Sequence, residues 1–208
     1  MSILVSRRIS ATLLAGLAGT ALLLTPAAAA SSVTATTTDR SGDARIVLRN
    51  VPTADLLSAN AQFDESTVTV SFGLGAAPTA AQLATGNYTF TSTIAPGLFV
   101  RFDTEAHLYG DNRSGEEEPT AACLAYFGPE GPGLSTAVLS GATTLSATFR
   151  RADVNAAATC FHGGTLGAGS RVQVVDAASE YRDPPRGLFG GGIARDTAAS
   201  GAAVTLAN

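Results

Sequence analysis

The sequence predicts an all-β fold: an antiparallel, jelly-roll-like β-sandwich of about eight strands with long loops, preceded by a signal peptide. Two observations indicate the sandwich: short segments alternate strictly between apolar and polar residues, and Gly, Pro and Asp fill the gaps. The clearest segment, residues 66–74, reads STVTVSFGL and places Val68, Val70 and Phe72 on one face. Such alternation is typical of a half-buried strand.

Seven further segments also have strand-like patterns. They are residues 56–63, 87–94, 97–104, 121–128, 135–140, 143–151 and 170–177. Residues 56–63 should pair with 66–74 as a β-hairpin, because only a short acidic turn separates them. Two Ala-rich stretches, 79–85 and 152–158, predict short helices. Short strands at close spacing, with Gly and Pro turns, are typical of a sandwich or a barrel.

The first thirty residues have the features of a secretory signal peptide. Arg7 and Arg8 form a positively charged n-region, residues 9–24 are an apolar run, and residues 27–30 are a small-residue tract that fits a cleavage site. The apolar run is shorter than the ~20 residues that a membrane span needs. An uncleaved N-terminal anchor is the alternative. We expect residues 1–30 to be removed, leaving a secreted, extracellular protein without a membrane span.

After the signal peptide, the sequence predicts a flexible Ser/Thr tract at 31–38 and a single sandwich domain at 39–208. Removal of Arg7 and Arg8 leaves 11 basic residues, all Arg, against 17 acidic ones, a formal charge of −6. This balance, without a basic cluster, argues against nucleic acid or an anionic membrane as a partner. The lack of Lys and the abundance of Ala and Gly are typical of a GC-rich bacterial genome.

Cys123 and Cys160 are the only cysteines, and in an exported chain such a pair predicts one disulfide. Two reduced, buried thiols are the alternative. A disulfide that closes a loop of about 37 residues would stabilise the fold by roughly 4 kcal/mol in the chain-entropy account. The wide spacing argues against zinc binding and against CxxC redox chemistry.

Acidic residues gather in two places that offer the oxygen ligands calcium requires. The first begins at Asp103 and includes Glu105 and Asp111. A solvated loop is the favoured interpretation of this first place. The second is Asp39 with Asp43, on the N-terminal segment of the sandwich. Calcium is therefore the one cofactor that the sequence leaves open.

Three segments resemble, in their order, a type of secreted bacterial sandwich: DRSGDA at 39–44, ADLLSANAQFDESTVTVSFGL at 54–74 and LFVRFDTEAH at 98–107. The chain resembles the DOMON and family-9 carbohydrate-binding-module domains over the first half of its mature part. The resemblance implies a jelly-roll-like sandwich that binds sugar, haem or a surface partner without catalysis. This chain has no Trp to stack on sugar rings, and His107 and His162 are its only haem-ligand candidates outside the leader.

No arrangement of residues predicts an enzyme. Asp103 and Glu105 have the spacing of a glycosidase pair, but no aromatic platform for a sugar surrounds them. The HGG at 162–164 occurs without a G-x-S-x-G motif, and the two histidines of the chain more often indicate surface residues than a transition-metal site. Residues 187–196 lack a nucleotide-binding frame and predict a flexible connection before the last strand.

The surroundings of the tyrosines predict which are buried. Tyr88 and Tyr126 lie in apolar segments, which predicts core positions. A candidate ligand-binding surface consists of residues beside turns: His107, Tyr109, Tyr181 and Arg182. We therefore expect a secreted, non-catalytic β-sandwich that binds an unidentified extracellular ligand or protein. A structural, envelope-associated protein with no small-molecule ligand is the alternative.

Overall fold

The computed structural model describes most of the predicted domain. The described residues are 32–46, 49–110, 119–128, 131, 133–162, 164–184 and 191–206. The predicted signal peptide at 1–30 lies outside them. Within them, no helix is both long enough and apolar enough to cross a membrane.

Strands make up most of the regular structure in this part of the chain. In chain order they are β1 (Val33–Thr38), β2 (Arg45–Ile46), β3 (Arg49–Asn50), β4 (Leu56–Phe63), β5 (Thr67–Leu74), β6 (Tyr88–Ala95), β7 (Leu98–Phe102), β8 (Ala106–Gly110), β9 (Leu134–Thr136), β10 (Leu139–Ser140), β11 (Thr144–Arg150), β12 (Arg171–Val172), β13 (Val175–Arg182), β14 (Ile193–Ala198) and β15 (Val204–Thr205). The helices are α1 (Ala80–Leu83), α2 (Ala121–Phe127) and α3 (Arg151–His162).

Two antiparallel sheets form the body of the molecule. One has the strand order β1-β4-β5-β11-β10 and the other β14-β13-β6-β7-β8-β9. Their inner faces share one hydrophobic core, in which the rings of Phe72 and Phe102 meet edge to face with centroids 5.0 Å apart. The prediction of an all-β sandwich is confirmed. The strands outnumber the predicted ones because several have only two or three residues.

The predicted hairpin is confirmed as β4 paired with β5. Val68 and Val70 lie opposite Phe63 and Ala61, and all four side chains are buried. Burial of each larger apolar side chain contributes roughly 1.5–3 kcal/mol. The alternating pattern therefore determines which face of the hairpin packs against the second sheet.

Residues 121–127 are helix α2, so the prediction of a strand at 121–128 is wrong. Four of the seven residues of AACLAYF are Ala or Leu, which are good helix formers, and the segment lacks true alternation. Thr120 caps the helix by accepting a hydrogen bond from the Cys123 N–H. The helical turn leaves Tyr126 44% exposed. Its predicted core position is therefore wrong, whereas the core position of Tyr88 is confirmed.

Two segments predicted to be flexible are strands. The Ser/Thr tract forms β1, which pairs with β4 along all six of its residues and buries Ala35 and Thr37. The segment after the glycines forms β14, which buries Ala194, Asp196 and Ala198. Small and polar residues occupy the inward positions of both strands, so hydrophobicity alone does not reveal the alternation.

Two predicted strands are divided in the structure. Residues 135–140 contribute to β9 in the six-stranded sheet and to β10 in the five-stranded sheet, so this segment crosses between the sheets. Residues 170–177 are divided between β12 and β13. The predicted helices at 79–85 and 152–158 are confirmed as α1 and α3.

The predicted disulfide is present between Cys123 of α2 and Cys160 of α3, with Cα atoms 5.6 Å apart. Helix α3 buries Val154 and Phe161 against the core. The disulfide therefore ties the exposed helix α2 to a helix that the core already holds.

Candidate functional site

Three carboxylates converge where the N-terminal segment meets β14. Asp39 and Asp43 follow β1, and Asp196 lies in the middle of β14. Each contributes an oxygen, and these oxygens lie within 4.8 Å of one another. We call these three residues the aspartate cluster. The two residues predicted for an N-terminal calcium site are thus together, joined by a third from the far end of the chain.

A tight turn presents Asp39 and Asp43 on the same side. The Asp39 N–H donates to the Leu57 carbonyl at 2.9 Å, which ends the pairing of β1 with β4. Gly42 then adopts φ +86°, a conformation that favours glycine. Its N–H donates to both carboxylate oxygens of the buried Asp55, at 2.7 and 2.9 Å. The D-x-x-G-D pattern is therefore a turn held by Asp55.

Asp196 is the buried member of the cluster, with 7% of its surface exposed. Its Oδ2 accepts from the Leu56 N–H at 2.6 Å, and its Oδ1 accepts from the Thr197 N–H at 2.8 Å. Burial raises the pKa of Asp196 to about 6, with further contributions from a hydrogen bond with Asp39 and the charge of Asp43; the two backbone donors oppose this rise. A buried acid without a nearby cation favours its neutral form.

Asp39 brings an unsatisfied atom to the same place. Its Oδ2 is buried and has no hydrogen-bond partner among the described residues. A hydrogen bond between Asp39 and Asp196 requires a proton on one carboxyl group, which is why this contact raises the pKa of Asp196. The cluster therefore needs either a proton or a cation. The atoms that it offers to a metal are all carboxylate oxygens, which suit Ca²⁺ or Mg²⁺ better than a transition metal.

The sequence contains a weak indication that Asp196 is buried, but the small residues around it make the strand pattern hard to recognise. In IARDTA, Asp196 occupies an inward position of an alternating strand, between Ala194 and Ala198. An acid in such a position is rarely buried without a partner. The signal identifies the residue as unusual, but only the fold places it beside Asp39 and Asp43.

The other predicted calcium place is a turn with basic side chains as partners. Asp103 follows β7, and its carboxylate lies 3.4 Å from Arg101 Nε and 3.6 Å from His107 Nε2. Its Oδ1 also accepts from the Glu105 N–H at 3.3 Å. The Glu105 residue is exposed. Asp111 and the acidic residues 116–118 lie outside the described part of the chain.

Two of the predicted ligand-binding residues are neighbours on β8. His107 and Tyr109 stack with centroids 5.9 Å apart, and Tyr109 stacks on Phe99 of β7 at 5.4 Å. Partial burial is the main cause that raises the pKa of Tyr109. The Nδ1 atom of His107 is buried and has no hydrogen-bond partner within the described residues. These three rings form a short aromatic row on the side of the sheet that faces away from the core.

The other two predicted ligand-binding residues lie on opposite faces of β13. Tyr181 packs inward, with its ring centroid 4.6 Å from that of Tyr88, and it donates to Asp183. The prediction that Tyr181 shares one surface with the others is therefore wrong, because neighbouring strand residues point to opposite faces. Arg182 points outward. The side chain of His162, at the end of α3, lies outside the described part.

Arg182 belongs to a charged group that sequence reasoning missed. Glu180 of β13 accepts from Arg182 Nε at 2.6 Å and from Arg195 Nε of β14 at 2.8 Å. These hydrogen bonds lower the pKa of Glu180. The residues are 15 or fewer positions apart in sequence, but nothing in the pattern reveals β14 as the neighbour of β13.

Two shallow cavities meet on this solvent-facing side of the six-stranded sheet, which we call the outer face. The smaller, about 170 Å³, is lined by Thr93, Phe99 and Asp176 among others. The larger, about 400 Å³, is lined by residues that include three arginines: Arg101, Arg182 and Arg195. Thr91 lines both cavities, so they adjoin across β6.

Comparison with known proteins identifies no relative: no protein-family model, no curated protein and no solved structure matches this chain. The resemblance to DOMON and family-9 carbohydrate-binding-module domains therefore stays a prediction.

Proposed function

We propose that this chain is a secreted, non-catalytic β-sandwich module that binds Ca²⁺ at the aspartate cluster. The ion would join the N-terminal segment to β14 and so fix the outer face on which an extracellular ligand binds. Asp39, Asp43 and Asp196 would be its protein ligands. The chemistry that the ion supplies is neutralisation of three converging carboxylates.

The observation that carries the proposal is the buried Oδ2 of Asp39, which has no hydrogen-bond donor in the described structure. A buried carboxylate oxygen without a partner costs free energy, about 1–3 kcal/mol or more for a charged group. The cost here is compounded because Asp196 and Asp43 add like charge within 4.8 Å. A bound divalent cation removes both costs at once.

The competing explanation is a proton shared between Asp39 and Asp196. The two explanations make opposite predictions for pH. A shared proton stabilises the fold in mildly acidic solution and is lost near neutral pH, because the pKa of Asp196 is about 6. A bound Ca²⁺ requires ionised carboxylates and therefore stabilises the fold most at neutral pH.

The test is a thermal melt of the oxidised mature protein at neutral pH, in millimolar Ca²⁺ and then in EDTA. Binding to the folded state alone at 100 times Kd would add about 2.7 kcal/mol to the free energy of unfolding. For a domain of this size we expect the Tm to rise by several degrees. The rise should vanish in Asp43→Asn, whose side chain is the exposed member of the cluster.

The control variant is Asp103→Asn, at the other place predicted to bind calcium. It should keep the full rise in Tm. Superimposable curves in Ca²⁺ and EDTA would remove the calcium proposal.

A further inference from the structure

We propose that the outer face binds an acidic polysaccharide, whose carboxylates pair with Arg101, Arg182 and Arg195. This inference rests on the proposed function as a binding module, and it names the class of ligand. The three arginines are accessible: their side chains are 48%, 69% and 67% exposed, respectively.

Each of the three guanidinium groups contacts a neighbouring carboxylate through its Nε atom. Arg182 Nε and Arg195 Nε lie 2.6 and 2.8 Å from the two carboxylate oxygens of Glu180. Arg101 Nε lies 3.4 Å from Asp103 Oδ2. These contacts involve the inner edge of each group, whereas the two terminal nitrogens form an edge suited to a bidentate contact with a carboxylate. The acids therefore hold the arginines ready to bind without occupying the edge used for recognition.

Arg101 and Arg195 are too far apart for one small anion to contact both. Arg195 lies on β14 and Arg101 on β7, with β13 and β6 between them. Strands in a sheet are about 4.8 Å apart, so three strand intervals separate these two side chains by about 14 Å. A ligand that contacts both must carry at least two carboxylates on an extended backbone, which is a property of a polymer.

Hydroxyl groups fill the space between the arginines. Thr91 lies opposite Arg101 on one side and Ala178 on the other, and Thr89 lies opposite Glu180. Thr197 continues the first row on β14. Threonine hydroxyls both donate and accept hydrogen bonds. They therefore match sugar hydroxyls, which do the same.

The smaller cavity suits the uncharged part of a sugar. Phe99 forms one wall and stacks on Tyr109, which provides an apolar surface for the C–H face of a pyranose ring. Asp176, at the irregular point of β13, lines the same cavity with φ +52°. Its carboxylate can accept hydrogen bonds from sugar hydroxyls. A non-glycine residue in this conformation is uncommon outside turns and functional sites.

The face is less suited to an acidic peptide. Peptides that bind sheets usually pair with the backbone of an edge strand. On the outer face, the central strands β13, β6 and β7 are each paired on both sides, so only side chains are presented to a ligand. Three of the residues lining the larger cavity are arginines, against two acids, Glu180 and the buried Asp196. Charge complementarity therefore selects an anion, and the hydroxyl row selects a saccharide.

The test measures binding of a hyaluronan oligosaccharide, which alternates glucuronic acid with an uncharged sugar, to the oxidised mature protein in low salt and millimolar Ca²⁺. We expect saturable binding by calorimetry. Arg101→Gln and Arg195→Gln should each weaken it by about tenfold, the effect of losing one charge-assisted contact. The matched control is Arg150→Gln: Arg150 is also exposed, but it lies on the other sheet and pairs with Asp153. It should bind with unchanged affinity.

Two comparison ligands show which chemical class of ligand the outer face binds. The same oligosaccharide with its carboxyl groups reduced to alcohols should not bind, and poly-glutamate should bind at least tenfold more weakly. Equal binding of the reduced oligosaccharide would overturn the role of the arginines. Equal or tighter binding of poly-glutamate would overturn the polysaccharide in favour of an acidic protein. Absence of binding to hyaluronan, or equal binding by the arginine variants, would also overturn the proposal.

The failure of this inference is distinguishable from failure of the calcium proposal. Arg101→Gln leaves the aspartate cluster intact, so it should keep the Ca²⁺-dependent rise in Tm while losing hyaluronan affinity. If the protein melts identically in Ca²⁺ and EDTA but binds hyaluronan selectively, the ligand-binding proposal stands and only the calcium proposal fails.

Discussion

The two acidic places of this molecule differ in their partners. At the turn after β7, the carboxylate of Asp103 lies near a guanidinium and an imidazole, so its charge is balanced locally. In the aspartate cluster, three carboxylates face one another, and the described contacts of Asp196 are two backbone N–H groups and Asp39. The density of acids along the sequence identifies the first place, whereas their convergence in the fold identifies the second. Convergence without balancing charge is the better indicator of a cation site.

The largest difference between the two places should be in the stability lost when the central acid of each is replaced by Ala. The comparison is made in the presence of Ca²⁺. Asp196→Ala loses the ion and leaves the buried Leu56 N–H without its acceptor. We expect a loss of about 4–6 kcal/mol in the free energy of unfolding, from about 2.7 kcal/mol of ion binding and 1–3 kcal/mol for the unsatisfied donor. Asp103→Ala removes surface ion pairs and the acceptor of the exposed Glu105 N–H, and should cost about 1 kcal/mol. Chemical denaturation measures both, and equal losses would contradict the distinction.

The next effect is a pH dependence of stability that is present without the ion and absent with it. The pKa of Asp196 rises on folding from 3.8 to about 6, so the folded state binds more protons than the unfolded state between these values. In EDTA, the free energy of unfolding should therefore fall as pH rises from 4 to 6, by at most about 3 kcal/mol. In saturating Ca²⁺ this fall should disappear, since the ion replaces the proton. A fall that persists unchanged in Ca²⁺ would indicate that no ion binds there.

A smaller effect should come from the turn that presents Asp39 and Asp43. Gly42 has φ +86°, and nothing lies near the place of an added Cβ. Gly42→Ala therefore strains the backbone without a clash, at about 1 kcal/mol, and should weaken Ca²⁺ binding. Gly167→Ala is the matched control, because its Cβ would also meet nothing and its φ is not positive. Unchanged Ca²⁺ affinity in Gly42→Ala would mean that the turn does not organise the site.

The smallest effect on stability is expected at the turn after β7, where the charge of Asp103 is balanced. Arg101→Gln removes the guanidinium beside Asp103, which is a partly exposed pair with N···O 3.4 Å. Such a pair contributes about 0–1 kcal/mol, so the Tm should change by only a few degrees and the response to Ca²⁺ should stay the same. Acquisition of a second Ca²⁺ site in this variant would show that Arg101 is what keeps the turn free of ions.

The sequence predicts those parts of the fold where large apolar residues alternate. Val68, Val70 and Phe72 mark β5 because each inward position is bulky. In β1 and β14, the inward positions are Ala, Thr and Asp, so a pattern of hydrophobicity does not distinguish a strand from a flexible tract. In α2, an unbroken run of Ala, Leu and aromatic residues fits both a buried strand and a helix, and the cap at Thr120 favours the helix.

The same limit explains which part of the candidate site could be predicted. Asp39 and Asp43 are close in sequence and flank a glycine turn, so local pattern suffices to pair them. Asp196 joins them only because β14 lies beside β13 in one sheet and its inward face reaches the start of β4, where its carboxylate accepts from Leu56. That contact spans 140 positions and depends on the packing of both sheets.

The most direct test of the account is calorimetric titration of Ca²⁺ into the oxidised mature protein at pH 7.5 and at pH 5, with Asp43→Asn beside the unaltered chain. The account predicts one site at pH 7.5 that weakens strongly at pH 5, where Asp196 holds its proton, and that is lost in Asp43→Asn. Absence of heat at pH 7.5, or binding that is equal at both pH values and in the variant, would contradict a calcium site at the aspartate cluster.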